Sequence, residues 1–443
     1  MKISMDKKIY DFAAVGVGPF NLGLACLTHS IPDLDGIFLD KRPEFNWHPG
    51  MLMQDTTLQV PFLADHVTLA DPTNPFSFLN YLKERGRIYA FYIREQFKML
   101  RNEYNQYCQW AIRQLPEVHF NTAVKNIEYD EAAQLYLLHA VTPANDRLLV
   151  RARKLVLGTG TVPYVPASCR ELMNKAVHSA HYLQHKHVLQ SKRSITIVGS
   201  GQSAAEIYYD LLQDIDTYGY SLHWITRSPR FYPLEYSKLT LEMTSPEYVD
   251  YFYNLPQAKR DELLHRQKHL YKGINNDLIA SIFDTIYAKK LIADIDISLR
   301  TNADLRNITH DDTDGFRLTF FQEEQEKYYV HQTSGLVLAT GYTHRIPDFM
   351  GPILHKVQLD EKGRFAVNRN YTVDAAGTIF VQNAELHTHG FVTPDLGMGC
   401  YRNAWIIREM LGREVYPIEQ RIAFQQFAVD AGEETVPVHP HLI

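Results

Sequence analysis

The sequence predicts an α/β protein with two Rossmann-like βαβ units, the second inserted in the first, and a small helical region beside them. Two observations carry this expectation. Two glycine-rich turns each close a hydrophobic strand: Ala14-Val-Gly-Val-Gly-Pro-Phe-Asn-Leu22 near the start, and Ile197-Val-Gly-Ser-Gly-Gln-Ser-Ala-Ala-Glu206 farther on. Two similar strand ends, Leu155-Val-Leu-Gly-Thr-Gly160 and Leu336-Val-Leu-Ala-Thr-Gly341, bracket the second turn. An outer unit that resumes after an insertion would give such a pair.

The elements follow in order. The first unit is expected over 1–165. Its opening strand leads through Gly16 and Gly18 into a helix whose free N–H groups can receive a pyrophosphate. A second strand, Gly36-Ile-Phe-Leu-Asp40, ends in an acid able to accept hydrogen bonds from a ribose hydroxyl. Lys154 to Gly160 reads as a buried strand broken by glycines, and Thr161 to Pro166 as an extended linker, since its prolines cannot continue a helix. The second unit is assigned to 166–230 and 291–334. Its second strand, Ser221-Leu-His-Trp-Ile-Thr-Arg227, ends in a cation where the first ended in Asp40. A cation there suits a 2′-phosphate, hence NADPH, whereas an acid suits FAD or NADH. The Tyr-, Glu- and Lys-rich stretch 231–290 reads as a helical insertion, and 335–443 as the return to the first unit with a C-terminal segment. Two dinucleotides face to face are what a flavin enzyme reduced by a nicotinamide requires.

Composition excludes several classes. Apolar content of 45% and charged content of 22% over 443 residues are ordinary for a globular protein of two or three domains. A net charge of −6 argues against nucleic acid as partner. Cys26, Cys108, Cys169 and Cys400 form no C-x-x-C pair, so disulfides, a redox dithiol and a metal centre are not expected. Basic Met1 to Lys8 followed by apolar Phe12 to Leu27 imitates a signal peptide, but Gly16, Gly18, Pro19 and Asn21 interrupt it as a phosphate turn would. No apolar run is long enough for a membrane span, and a cytoplasmic location is expected.

Read alone, Trp47 and His48 are an ordinary core pair. Together, Gly16-Val-Gly-Pro-Phe-Asn-Leu22, Trp47-His-Pro-Gly-Met51, Asp71-Pro-Thr-Asn-Pro-Phe-Ser-Phe-Leu-Asn-Tyr-Leu82 and Gly199-Ser-Gly-Gln-Ser-Ala-Ala-Glu206 resemble the N-hydroxylating flavin monooxygenases. These are the lysine, ornithine and diamine N-monooxygenases of hydroxamate siderophore biosynthesis. The resemblance implies FAD on Gly16, Gly18, Pro19, Asn21, Leu22, Asp40 and Lys41, with Trp47 and His48 alongside. It implies NADPH on Gly199, Ser200, Gly201, Gln202, Ser203 and Arg227. Further cofactor contacts are expected from Thr159, Gly160, Thr340, Gly341, Tyr342, His389 and Leu396. Gln59 matches a family glutamine near the reactive edge of the flavin, and Asn275 a family asparagine between substrate and nicotinamide ribose; both are expected to act in catalysis. The implied reaction is N-hydroxylation of a primary aliphatic amine by a C4a-hydroperoxyflavin, with O2 as co-substrate. A homotetramer is implied by the same likeness.

The departures from the family pattern bear on the substrate. Ala64 stands where amino-acid hydroxylases carry a lysine for the substrate carboxylate. Leu241 and Gly397 replace an asparagine and a serine of the same pocket. A buried carboxylate without a cation costs several kcal/mol, so the expected substrate is a diamine such as putrescine or cadaverine. Glu235, Glu242 and Asp65 are plausible partners for its distal ammonium. The alternatives are an L-lysine N6- or L-ornithine N5-monooxygenase, and a catalytically silent nucleotide-binding redox sensor.

Overall fold

The computed structural model describes residues 8–429 and 432–435, so the basic start of the signal-like stretch lies largely outside it. Strand β1 (Ile9–Val15), helix α1 (Pro19–Thr28) and strand β2 (Gly36–Leu39) form the opening βαβ unit. They belong to a seven-stranded sheet ordered 118–119, β2, β1, 147–157, 135–141 and 123–130, with Ile379–Val381 also beside 147–157. The strand Arg147–Leu157 is long because it serves two purposes. Its first half runs antiparallel to Leu135–Val141, and its second half lies parallel to β1 and to Ile379–Val381. Val15 pairs with both Leu39 and Leu157, so Gly16, Asp40 and Gly158 emerge together at one carboxyl edge. Ligands bind at such edges.

The second unit repeats the plan. Strand β3 (Ser194–Val198), helix α2 (Gln202–Tyr218) and strand β4 (Ser221–Ile225) lie in a five-stranded parallel sheet ordered 177–178, 335–338, β3, β4 and 297–300. A three-stranded antiparallel meander, 303–333, packs beneath it around Phe316, Leu318 and Phe320. Strand Gly335–Leu338 is therefore a correction to the expected boundary: it belongs to the second sheet, next to β3, and the crossing back lies after it. The outgoing strand Thr161–Pro163 and the returning strand Tyr342–His344 pair antiparallel, so the chain leaves and re-enters the first unit through one two-stranded ribbon.

The stretch 231–290 is mainly helical, and its last helix, α3 (Asn276–Ile292), packs on α2 through Ile282, Leu278 and Ile286. The two units also interlock. Met51 and Met53, from the first, sit in the core of the second with Tyr182 and Tyr208. Gly50 makes this possible, because a Cβ there would lie 2.1 Å from the Ala180 carbonyl oxygen. Among the described residues, no helix is long and apolar enough to cross a membrane.

Candidate active site

The first dinucleotide turn is built by a close crossing of backbones. Gly16 has φ +88°, and a Cβ on it would stand 2.5 Å from the Gly158 carbonyl oxygen. Gly18 caps α1 without a side-chain hydrogen bond, with Pro19 in the first turn, so the N-terminal amides stay open for an anion. Asp40 is buried at the end of β2 and accepts the Val17 N–H at 2.7 Å. Burial works to raise its pKa, but the Arg42 guanidinium, bonded to both carboxylate oxygens, holds it below the usual range. These features fit the pyrophosphate and ribose of an adenine dinucleotide. Arg42 was not anticipated, and a cation two residues after the acid was its only signal.

Three of the residues expected to contact FAD also pack within the protein. The Asn21 side chain does not cap α1: it donates to the Gly16 carbonyl of the turn at 2.7 Å and accepts from Gln382, which ties helix, turn and C-terminal segment together. Leu22 is wholly buried in the core and its N–H closes on Gly18. His389 is buried against Tyr371, with both ring nitrogens occupied by Thr388 and the Arg369 carbonyl. Each side chain braces the site. Lys41 is exposed at the rim.

The second turn repeats the crossing: a Cβ on Gly199 would meet the Ala339 carbonyl oxygen at 2.2 Å. Gly201 caps α2, again without a side-chain bond, and Ser200 and Ser203 flank it half-buried. Val198 pairs with Ile225 and Leu338, which brings Arg227 and Thr340 to the same edge. Arg227 is exposed there, close enough to Lys268 and Lys272 to depress their pKa values, although burial is the larger cause for both lysines. The Lys272 carbonyl also lies 3.6 Å from the Cβ position of Gly201. Three cations beside the turn fit a phosphate-bearing ribose. The lysines fall in the helical insertion, where sequence gave no sign of their partner.

Gln59, Gln202 and Asn275 come from three separate segments, and the fold brings them together. Gln202 Oε1 accepts the Asn275 backbone N–H at 2.8 Å and the Gln59 amide at 3.3 Å. Gln202 Nε2 donates to Glu206 at 2.7 Å, and Glu206 is clasped by both terminal nitrogens of Arg101, each at 2.7 Å. Burial pushes the Glu206 carboxyl upward, with Arg101 and Gln202 opposing. The Asn275 side-chain oxygen caps α3 by accepting from Asp277 and Leu278. Tyr236 donates to the Gln59 carbonyl at 2.8 Å. Beside this junction His48 adopts a left-handed backbone, φ 47°, and its ring meets Trp47 and Tyr342 edge to face. Desolvation by the surrounding walls, then Arg101 and Arg42, works to lower its imidazole pKa, while the residue keeps an exposed side. Thr340 and Gly341 hold the linker through Tyr164, next to Gly160 in its turn.

Ala64 and Gly397 face each other, the Cβ position of Gly397 lying 3.8 Å from the Ala64 Cβ. Ala64 and Leu396 line a small cavity with Pro19, Phe20, Tyr104 and Asn403. Leu241 is placed elsewhere, half-exposed on a surface cleft formed with Ile422 and Ala423. Of the acids expected to hold an ammonium, Asp65 and Glu242 have both oxygens bonded, and Glu235 is exposed with one oxygen bonded. Asp65 accepts from Val67, Thr68 and Phe78, Glu235 from Ser237, and Glu242 from Phe424 and Gln425.

Residues 8–344 match the family model of L-lysine 6-monooxygenase/L-ornithine 5-monooxygenase. The chain belongs to this family. Within it, the chain is 53% identical over 430 residues to putrescine N-hydroxylase of Shewanella oneidensis, covering 96% of this chain and 86% of that protein. The FAD-bound crystal structure of the desferrioxamine-pathway cadaverine monooxygenase of Erwinia amylovora superposes with a TM-score of 0.95 at 53% identity, covering 96% of this chain and 100% of that one. An ornithine N-hydroxylase of Kutzneria, with reduced FAD, NADP+ and L-ornithine, gives 0.84 at 28% identity over 91% of this chain and 99% of that one. Membership in the family makes this chain a flavin-dependent N-monooxygenase.

Proposed function

We propose that this enzyme uses FAD, NADPH and O2 to hydroxylate one primary amine of an aliphatic diamine, putrescine or cadaverine. The observation that carries the substrate class is the wall made by Ala64 and Gly397, which holds no cation. Arg402, whose charge reaches Asp395 beside that wall, is itself paired with Glu385 at 2.8 Å, both fully buried. A carboxylate placed here would lose its hydration without a counter-charge. The two relatives at 53% identity act on diamines by name, which agrees.

The flavin and nicotinamide supply the electron transfer and oxygen activation that no side chain provides. The chain's own residues bind and orient. The open N-terminus of α1, with Asp40 and Arg42, fits the FAD pyrophosphate and ribose; that of α2, with Arg227, Lys268 and Lys272, fits NADPH. Gln202 bridges Gln59 to Asn275, so the nicotinamide side and the flavin side are set relative to one another by hydrogen bonds. The reacting amine must lose its proton, since an ammonium has no lone pair to accept oxygen, and desolvation in the crevice favours that loss. An N-hydroxylated diamine is the unit from which a hydroxamate siderophore is assembled. We place the enzyme in that biosynthesis, in the cytoplasm where NADPH is kept reduced, as a homo-oligomer whose size light scattering would measure.

The test is the amount of hydroxylamine formed from putrescine, cadaverine, L-ornithine and L-lysine under NADPH and air. A diamine should give the highest kcat/KM. Best turnover with either amino acid rejects the reading; NADPH consumption alone does not count, because uncoupled turnover makes peroxide.

A further inference from the structure

We infer that Asp395 is the anion that binds the distal ammonium of the diamine and repels substrates carrying a carboxylate at that end. The inference rests on the diamine reading above and names the residue that reading lacks.

Asp395 precedes the short turn Leu396–Met398 and caps it, accepting the Gly397 N–H on Oδ1 at 2.7 Å. That bond uses one carboxylate oxygen. Among the described residues no hydrogen bond reaches Oδ2, in contrast to Asp65 and Glu242, each of which has both oxygens taken; Glu235 also keeps one oxygen free but lies exposed. The carboxylate flanks the Ala64 wall, because the Cβ position of Gly397 lies 3.1 Å from Asp395 Oδ1 and 3.8 Å from Ala64. It also stands within electrostatic reach of Tyr236, whose hydroxyl holds the Gln59 carbonyl. Asp395 thus joins the substrate wall to the Gln59 junction. The cation that acts on it, Arg402, is already matched by Glu385.

Burial raises the Asp395 pKa, with the Gly397 N–H and Arg402 opposing. A group raised in this way gains most from a cationic ligand, which restores its ionised form. Where amino-acid hydroxylases resembling this chain carry a lysine, Ala64 leaves the wall without a cation, and Asp395 sets a carboxylate beside it. The missing lysine at Ala64 and the carboxylate of Asp395 beside it together account for attraction of an ammonium and exclusion of a carboxylate.

The test compares the FAD-loaded wild type with Asp395→Asn, which keeps the oxygen that caps Gly397. Putrescine and butylamine are the two probes; butylamine has the same carbon chain and no distal ammonium. For putrescine, kcat/KM should fall roughly 10- to 100-fold, chiefly through KM, the size expected for one lost charge-assisted hydrogen bond. For butylamine it should change less than about threefold, as no ion pair is lost. Equilibrium dialysis should show the same weakening of putrescine binding, independently of turnover. Unchanged putrescine KM and Kd, or equal losses for both amines, overturns the assignment while leaving the diamine reading intact. If wild type forms no hydroxylated diamine, the diamine reading fails first and the assignment with it. Should Asp395→Asn lose FAD, Asp395→Glu serves instead, and putrescine must still be preferred over butylamine.

Discussion

Asn21 stands where the third glycine of a dinucleotide fingerprint is usual, and its structural role differs from what that position suggests. A helix cap or a phosphate contact is expected there; the side-chain amide links the Gly16 carbonyl to Gln382. Sequence shows a polar residue at a helix start but not the distant residue that occupies it, here 361 positions away. Gly50 is a similar case. Its neighbours Trp47 and His48 were legible as a motif, whereas the pressure on Gly50 comes from Ala180 in the other unit. Replacing it with valine should lower stability by about 1–3 kcal/mol through overpacking, measured by urea unfolding of the FAD-loaded protein. Arg227 was identified because strand end and charge coincide, a purely local signal. Arg227→Asp should cut the preference for NADPH over NADH at least about tenfold, since a phosphate-pairing charge is reversed. Steady-state KM values for the two nucleotides would measure this.

At the level of elements, α3 joins folding to chemistry. Its cap is Asn275, whose backbone N–H bonds Gln202 while its side chain accepts from Asp277 and Leu278. Asn275→Ala should cost about 0.5–2 kcal/mol of stability through the lost cap. Asn275→Asp keeps a capping oxygen and should retain that stability in thermal unfolding, yet raise peroxide release if the amide nitrogen serves the site. Strand Gly335–Leu338 shows why the boundary was misplaced. It lies beside β3 as 155–157 lies beside β1, each the buried parallel neighbour of a nucleotide-binding strand. Equivalent burial selects equivalent sequence, so the similarity reports a place within a Rossmann unit and not which unit is meant. The helical content of 231–290 was legible from composition, but not the turn of chain that brings Lys268 and Lys272 to Arg227.

For the whole molecule, the contact between units matters most. Arg101 in the first and Glu206 in the second form a nearly buried, two-pronged ion pair. Arg101→Ala leaves Glu206 buried without its cation and should destabilise by about 3–5 kcal/mol, with a rise in the KM for NADPH as Gln202 loses its anchor. Acid should act on the same fold through histidine. Burial lowers His66 to about 3, against 6.5 for an unperturbed histidine. The unfolded chain then binds more protons than the folded one below 6.5, so stability declines as pH falls from there towards 3 and is intact above. In His66→Gln the acid limb of a stability–pH profile should be shallower; an unaltered slope would exclude His66 as a contributor.

The paired strands Thr161–Pro163 and Tyr342–His344 have one more consequence. Because departure and return occur side by side, everything between them is a cassette with adjacent ends. Transplanting that cassette from a relative of different nicotinamide preference should therefore need only two neighbouring splice points, provided that the graft retains partners for Met51, Met53 and Arg101.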